Sequence, residues 1–544
     1  MRSPLELQSE SWMSGYTPLA LLTLLCLILF VPGLTSLPPT DRDEARFLQA
    51  SKQMLETGDL MTIRFQDNLR NKKPVGIHWL QVTAVKLFAG GDRFAIWAYR
   101  LPSALSAWLT VLVTFIIGRR LFGAASGLLA AGLLACTLLF VVEAHIAKTD
   151  AALALAVALA HLALLTFYMS PVDNRPPFSS VFLFWAAIGF GLLIKGPIII
   201  AVVGATALAL CAADRNISWL QGLQPTIGIP IAFGFLIPWL AWLVVTGNGD
   251  VIMKSLTEDL FPKIFGGQES HGALPGSYLL ASPILLWPAS LIIFPGLLVA
   301  AQCRRERAVR FSLAWGCAAW LMFELIPTKL PHYILPTLPG LVLATAAGVL
   351  KSGHRIPRWS CIVWGLVSAL LAGTLVWATF AYGGSRPIAG LLAVMLIATT
   401  ALTWTAQKNL EVLVPILAIT LFGLTFSILL PSLSKLSLSA RLAEIIEEQG
   451  GGPVALSRFH EPSVVFLLGT ETWLTNPRNV VAHIAADPDA LGVVALDELE
   501  RAKDMLIASH ENLEIVDQLH GYNYAKGRPE QMVIIRRAMG RPIP

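Results

Sequence analysis

Residues 38–79 read PPTDRDEARFLQASKQMLETGDLMTIRFQDNLRNKKPVGIHW, a polar segment set between an apolar run at 16–37 and a series of apolar runs beyond residue 94. It is the longest early stretch too polar to lie in hydrocarbon, and it gathers Asp41, Arg42, Asp43, Glu44 and Arg46 directly after a membrane-length apolar run. Charges that close to a lipid surface need a physical reason. Asp43, Arg46, Phe47, Ala50 and Met54 recur at three- and four-residue spacings, which predicts a short helix carrying an acid and a base above an apolar stripe. Such a helix would lie on the bilayer surface with its charged first turn near water. Further on, Asn71-Lys72-Lys73-Pro74 brings two cations back beside His78 and Trp79. A solvated connector between two spans would carry the same charges. An acid cluster and a base cluster in one external loop would also handle a phosphate-linked substrate.

Outward from this loop, composition fixes the broad class. The 544 residues are 55% hydrophobic and only 14% charged, so most of the chain must face lipid or other apolar helices. The expectation is a polytopic α-helical membrane protein. Its formal charge of +5 is carried by short basic runs between apolar stretches, which reads as cytoplasmic loops and excludes a nucleic-acid surface. The six cysteines lie in or beside apolar stretches without metal-like pair spacing, and no disulfide framework is indicated.

Gly118-Arg119-Arg120 puts the turn between spans near 95–118 and 121–142 in the cytoplasm, which leaves the loop 38–94 outside. Glu143, His145, Lys148 and Asp150 form a polar patch at the outer end of the third span, where Asp150 is placed either to cap the next helix or to meet the first loop. Residues 180–212 are too long for one crossing of ~20 residues, and Lys195-Gly196-Pro197 predicts a break into two short spans. A second external loop, 247–278, carries Glu258, Asp259, Lys263, Glu269 and His271 among many glycines. Lys329-Leu330-Pro331-His332-Tyr333 falls at a third outer turn. At ~20 residues per crossing the count is about thirteen spans, with the N-terminus cytoplasmic and, the count being odd, the C-terminus on the opposite side.

After residue 434 the composition becomes that of a soluble protein. Apolar runs at Val464–Leu468, Val493–Leu496 and Met532–Ile535 predict strands, and 439–449 and 497–508 predict helices. The expected organisation is a transmembrane domain, 1–434, followed by a soluble periplasmic α/β domain, 435–544, which lacks a Gly-rich nucleotide loop. Four polar patches then share one side: Asp43 with Lys73, Asp150, the 258–271 loop, and Lys329 with Tyr333.

Several of these stretches together resemble a known family. Asp43-Glu44-Ala45-Arg46-Phe47, Met54-Leu55-Glu56-Thr57-Gly58-Asp59, Lys73-Pro74 with His78-Trp79, Lys148-Thr149-Asp150, Leu193-Ile194-Lys195-Gly196-Pro197 and Lys329-Leu330-Pro331-His332-Tyr333-Ile334-Leu335-Pro336 occur in family order over the first 350 or so residues. They resemble the ArnT-like and protein O-mannosyltransferase superfamily of GT-C membrane glycosyltransferases. The resemblance implies transfer of a sugar from a polyprenyl-phosphate donor to lipid A, another envelope glycan or a protein, on the periplasmic side of a bacterial inner membrane and with inversion at the anomeric carbon. It implies Asp43 as the catalytic carboxylate, and Arg46, Lys73, Lys329 and Tyr333 as donor-phosphate ligands. Glu44, Asp150 and His271 are further pocket candidates. One departure matters: aminoarabinose transferases of this family carry a glutamate before the motif lysine that helps hold zinc, whereas this chain has Lys72. That argues against a zinc site and against aminoarabinose as the sugar. A divalent metal held by Asp43, Asp150 or His271 has no compact ligand cluster to require it. A lipid-sugar transporter or flippase would share the many spans and broken helices, but would place ionisable residues at the membrane midplane. A noncatalytic assembly protein would use the exposed tail alone.

Overall fold

The computed structural model describes residues 15–70, 73–170, 176–250, 257, 272–353, 356–405, 410–508 and 513–538. Among these residues nine helices are long and apolar enough to cross a membrane, and the pair Ala124–Ala135 and Leu138–Ala144, bent by 66°, makes a tenth if it is one span. Three shorter apolar helices, Thr17–Phe30, Ile198–Asp214 and Ser290–Gln302, pack among them. Where Ile96–Phe122 turns back into Ala124–Ala135, Gly118 faces Gly127 so closely that a Cβ on Gly118 would sit 2.7 Å from the Gly127 Cα. Such small-residue crossings let backbones approach where no hydrophobic force drives helices together in lipid. The break expected at Lys195-Gly196-Pro197 is present. Gly196, at φ +68°, ends Phe178–Lys195, and Pro197 caps the start of Ile198–Asp214.

Two expectations are corrected. The first apolar run is helical only over Thr17–Phe30, and residues beyond it unwind. Their backbone carbonyls are satisfied from other spans: Pro32 by His145, and Leu34, Leu37 and Pro38 by Arg100. Buried carbonyls demand such partners, and no local sequence pattern announces partners 62 to 113 residues away.

The second correction concerns residues 464–468, expected as a strand and found in the helix Pro462–Leu468. Pro462 is pre-organised for a first helical turn, and a short apolar run buried on all sides has no period by which to tell strand from helix.

The C-terminal residues form a five-stranded sheet, β3 (Val454–Ser457), β4 (Trp473–Thr475), β5 (Leu491–Ala495), β6 (Leu513–Asn523) and β7 (Arg528–Arg537), numbered after a small hairpin of β1 (Arg64–Phe65) and β2 (Asn68–Leu69) in the first loop. The order is β4-β3-β5-β7-β6; β3 runs parallel to β4 and β5, and β7 antiparallel to β5 and β6. Helices Leu438–Glu448 and Pro462–Leu468 cover one face and Pro477–Ala486 and Leu499–Ala508 the other. This explains why Leu491–Ala495 is apolar at every position: a strand buried on both faces needs no alternation.

Candidate active site

The helix predicted from the opening segment exists as Asp43–Thr57. It does not lie free on a surface. Gln49, Ser51, Lys52 and Gln53 are buried along with Phe47, Ala50 and Met54: the C-terminal unit covers Gln49 and Lys52, His78 and Gln81 engage Ser51, and Gln66 engages Gln53. Lys52 donates to the Phe466 carbonyl at 2.8 Å and sits 3.9 Å from the centre of the Phe94 ring; burial pulls its ammonium down to about 8. Gln49 donates to Thr470, Gln66 to the carbonyls of Thr470 and Thr472, and Thr470 to Glu56. At the other end of the seam the Asp41 amide donates to the Tyr524 hydroxyl, Arg42 to the Ala525 carbonyl, and the Ser463 amide to Asp41.

Burial pushes the Asp41 carboxyl up to about 6, with Glu461 adding to the effect against the Ser463 bonds and the Arg46 charge. An acid raised on folding contributes stability that is present below its unfolded value and is lost as pH rises through the folded one. Asp41→Asn is therefore expected to unfold at a higher temperature than wild type at about pH 8, the gap closing as pH falls through about 6. Thermal unfolding of the purified chain at both pH values checks this, and a gap independent of pH contradicts it.

At the N-terminus of the 43–57 helix, Glu44 is 1% exposed and fully engaged. Arg100, equally buried, donates to both of its oxygens, at 2.8 and 3.0 Å. Thr40 donates to it through its amide and its hydroxyl, both at 2.8 Å, and the Ala147 amide at 2.9 Å. Burial alone would raise this carboxyl, but the Arg100 guanidinium and these bonds hold it below the usual carboxylate range. Glu44, expected among the pocket residues, thus acts as a clamp joining the first loop, the Ile96–Phe122 span and the 145–149 turn. Asp43, next to it, is exposed in the first turn of the helix.

The 145–149 turn delivers Lys148 into a buried cluster of charges. Its Nζ lies 2.9 Å from Glu143, 3.2 Å from His332 Nδ1 and 3.8 Å from Asp150. Asp150, at the first position of Asp150–Met169, pairs directly with Lys195, the last residue of Phe178–Lys195. The cap expected of Asp150 is not made: Thr149 is the N-cap and no side chain caps the helix. Lys195 Nζ also lies 5.4 Å from the centre of the Tyr333 ring, and His332 packs edge-on to Tyr333 at 5.1 Å. Because an ammonium can only donate, His332 Nδ1 accepts from Lys148, so the imidazole is neutral with its proton on Nε2, which faces Asp150 at 3.9 Å. The charge of Asp43 acts on Lys148 and that of Lys73 on His332. The structure therefore brings Asp150 and Tyr333 into one cluster with Glu143, Lys148, Lys195 and His332, and Asp43 stands in the helix turn whose Glu44 bonds the Ala147 amide next to Lys148.

Lys329 is arranged differently. Its Nζ donates to the carbonyls of Phe323, Glu324 and Ile326 and closes the end of the helix Ala319–Leu325. Arg46, half-buried, acts on Asp41. His271, with Glu258, Asp259, Lys263, Glu269 and Lys72, lies outside the described residues. The loop that carries His271 is stitched at its end to the Lys329 turn, through a Gly272–Thr328 bridge and through Tyr278, whose hydroxyl donates to the Leu330 carbonyl. Among the described residues no three His, Cys, Asp or Glu side chains gather as a metal site. Sequence reading missed Arg100 altogether, although a lone arginine just inside an apolar span is a signal. It quoted Glu143, Lys148, Lys195 and His332 within motifs without assigning them to the site.

Residues 72–242 match the family model described as dolichyl-phosphate-mannose-protein mannosyltransferase. An undecaprenyl phosphate-alpha-4-amino-4-deoxy-L-arabinose arabinosyl transferase of Pseudomonas fluorescens is 30% identical over 310 residues, which are 55% of this chain. The chain spans about half of that relative, 54% of its length. The Aeromonas salmonicida transferase of the same description is 26% identical, with 69% of each chain covered. The crystal structure of ArnT from Cupriavidus metallidurans bound to undecaprenyl phosphate superposes with a TM-score of 0.75 at 20% identity, over 96% of this chain and 98% of that one. This chain is homologous to the ArnT-like and protein O-mannosyltransferase proteins. Its fold is the polytopic GT-C fold, which the Archaeoglobus fulgidus oligosaccharyltransferase also shares at a TM-score of 0.54, 12% identity and coverage of 91% and 72% of the two chains.

Proposed function

We propose that this protein is a glycosyltransferase that moves a sugar from a polyprenyl-phosphate donor to lipid A, another envelope glycan or a protein at the periplasmic face of the inner membrane. The observation that supports this reading is a buried cluster of Lys148, Lys195, Asp150 and Tyr333 at the ends of apolar helices, tied through the Ala147–Glu44 bond to the helix turn that exposes Asp43, where a lipid phosphate would present its sugar. The similar proteins of Pseudomonas fluorescens and Aeromonas salmonicida are described as undecaprenyl phosphate-alpha-4-amino-4-deoxy-L-arabinose arabinosyl transferases. In the reaction an acceptor hydroxyl or amine attacks the anomeric carbon and gives its proton to Asp43. The bond from carbon to phosphate oxygen breaks, its electron pair leaving with the polyprenyl phosphate. Lysine ammonium groups stabilise the charge that gathers on that phosphate. Displacement in one step inverts the anomeric carbon.

Thirteen crossings follow if the three shorter apolar helices each span the bilayer beside the nine long ones and the bent pair. With Arg119, Arg120, Arg304 and Arg305 in the cytoplasm, the N-terminus lies inside, and 435–544 forms a periplasmic domain over the site. Arg46, Lys73 and Tyr333 remain the proposed donor-phosphate ligands. Lys329 would join them by leaving its carbonyls, and His271 would enter from the 247–278 loop. No step of this reaction calls for a metal. A transporter is disfavoured because the charged cluster lies at helix ends and not within the spans.

Mass spectrometry of lipid A, envelope glycans and polyprenyl-phosphate sugars from cells lacking the gene tests the reading. A sugar missing from one acceptor, with its lipid-linked donor accumulating and both reversed by the restored gene, is expected. An unchanged set of acceptors and donors would overturn it.

A further inference from the structure

The residue before Asp43 holds a backbone conformation that a side chain disfavours, and the C-terminal unit bonds it in that state. We propose that Arg42, pinned by the turn between β6 and β7, is a positioning residue that sets the backbone presenting the Asp43 carboxylate; this rests on the transferase reading of Asp43.

Arg42 lies at φ +69° and ψ −88°, close to the γ-turn of positive φ, a rare and strained state for a residue with a Cβ. Strain of this kind persists only where the surroundings over-determine it. Arg42 is the N-cap of the 43–57 helix, and its carbonyl accepts from the Arg46 amide at 3.3 Å. A change in its backbone therefore redirects the peptide that leads into Asp43. The exposed Asp43 carboxylate takes its position from that peptide.

The two sides of this turn are held by different parts of the chain. On the inner side Glu44 takes the Thr40 amide and pairs with Arg100. On the outer side the partners lie more than 400 residues on. Arg42 donates through Nη2 to the Ala525 carbonyl at 2.6 Å, the Asp41 amide to the Tyr524 hydroxyl at 2.5 Å, and the Ser463 amide to the Asp41 carboxylate at 3.2 Å. These bonds end one residue short of Asp43, so the backbone is fixed while the carboxylate stays open to an acceptor.

The part that pins Arg42 is itself well tied. Asn523, buried at the end of β6, donates to the buried Glu461 at 2.8 Å and accepts from the Lys526 amide at 3.0 Å. Gly527, at φ +68°, completes the turn into β7. Glu461 lies two residues before Ser463, so the group that holds Asp41 and the turn that holds Arg42 belong to one hydrogen-bonded unit. A sheet that supplies no group to the chemistry thereby gains a use in it.

The test uses the full chain in lipid nanodiscs. The donor probe is the lipid-linked sugar accumulated by cells lacking the gene, and the acceptor is the envelope fraction those cells leave unmodified. The kcat, donor KM and thermal midpoint are measured for wild type, Arg42→Ala, Arg42→Gly, Arg42→Lys, Tyr524→Phe and Asp43→Asn. Losing the guanidinium should lower kcat by about 10–10²-fold in Arg42→Ala and Arg42→Gly, the scale set by a misplacement of about 1 Å. Donor KM should stay within about twofold of wild type, as for a residue that does not bind the donor. In a helix or strand alanine is the more stable of the two, but at a positive φ glycine escapes the Cβ penalty. Arg42→Gly should therefore unfold at a higher temperature than Arg42→Ala and yet transfer no faster. Arg42→Lys, whose ammonium can donate to the same carbonyl, should recover most of the rate. Tyr524→Phe removes the acceptor of the Asp41 amide with Arg42 in place; it should also slow transfer, and it serves if the Arg42 variants do not accumulate. Arg42→Ala and Arg42→Gly as fast as wild type, rates that simply follow the thermal midpoint, or an effect confined to donor KM overturn the proposal. If Asp43→Asn is inactive in that case, the transferase reading survives; if Asp43→Asn matches wild type, that reading fails as well.

Discussion

Asp43→Asn is expected to slow the proposed sugar transfer by about 10²–10⁴-fold, the usual contribution of a positioned general base, while folding and binding of a polyprenyl-phosphate donor stay at the wild-type level. The acceptor must lose a proton as it attacks, and the carboxylates around it are not equally able to take one. Glu44 is saturated by five hydrogen bonds. Asp150 is paired with Lys195, and Glu143 is buried against Lys148. Asp43 is exposed, so an acceptor can reach it. Its place in the first turn of a helix stabilises the fold by only about 0.3–1 kcal/mol through the helix dipole, so neutralising it should cost little stability. Single-turnover consumption of the accumulated donor, measured beside undecaprenyl phosphate binding, separates the two effects. An Asn variant that keeps most of the wild-type rate would remove Asp43 from the chemistry, and one that fails to bind the lipid would make it a ligand instead.

What was legible in the sequence depended on how far apart the interacting residues lie. The long apolar helices, nine and a bent pair of the thirteen expected spans among the described residues, read well because an apolar run long enough to cross a bilayer is local, and so is the glycine and proline break after Lys195. The first helix was visible in its three- and four-residue spacing. Its burial was not, because the groups that cover it, Phe466, Thr470 and Tyr524, are more than 400 residues away. The same distance hid the helix Pro462–Leu468: its apolar run is buried from both sides, partly against the helix it helps to cover.

The site divides along similar lines. Asp43, Lys73, Asp150 and Tyr333 stood out as polar residues between apolar runs, and of these the structure joins Asp150 and Tyr333 through Lys195. Lys329 stood out equally, yet here its ammonium closes a helix end, a use its spacing of three to six residues from the carbonyls of Phe323, Glu324 and Ile326 could have suggested. Pattern alone does not distinguish a cation that waits for a phosphate from one that satisfies its own backbone. The buried charges Arg100 and Lys148 are the more informative ones, because burying a charge is costly and each must have partners. For Lys148 the partners Glu143 and Asp150 sit within five residues. For Arg100 the partner is 56 residues upstream.

That separation makes the Glu44–Arg100 pair the place where the fold and the site should fail together. Removing either side chain alone, as in Glu44→Leu or Arg100→Leu, leaves an uncompensated charge buried at 1% exposure and is expected to cost about 3–5 kcal/mol. Replacing both by leucine removes the orphaned charge, and for a simple buried pair the double variant can regain wild-type stability. Here it should regain only part. Arg100 also satisfies the carbonyls of Leu34, Leu37 and Pro38, and Glu44 the amides of Thr40 and Ala147; leucine serves none of them, and buried polar groups left unpaired each cost about 1–3 kcal/mol. Folded yield and thermal unfolding of the two single variants and the double variant measure the ordering: wild type highest, the double variant between, the singles lowest. The proposed transfer should follow a different order, with all three variants inactive, because the Ala147 bond that ties the 145–149 turn to the first turn of the 43–57 helix is lost with Glu44 and loosened without Arg100. A single variant as stable as wild type would show that water reaches the pair, and a double variant that regained both stability and transfer would show that the clamp has no part in arranging the site.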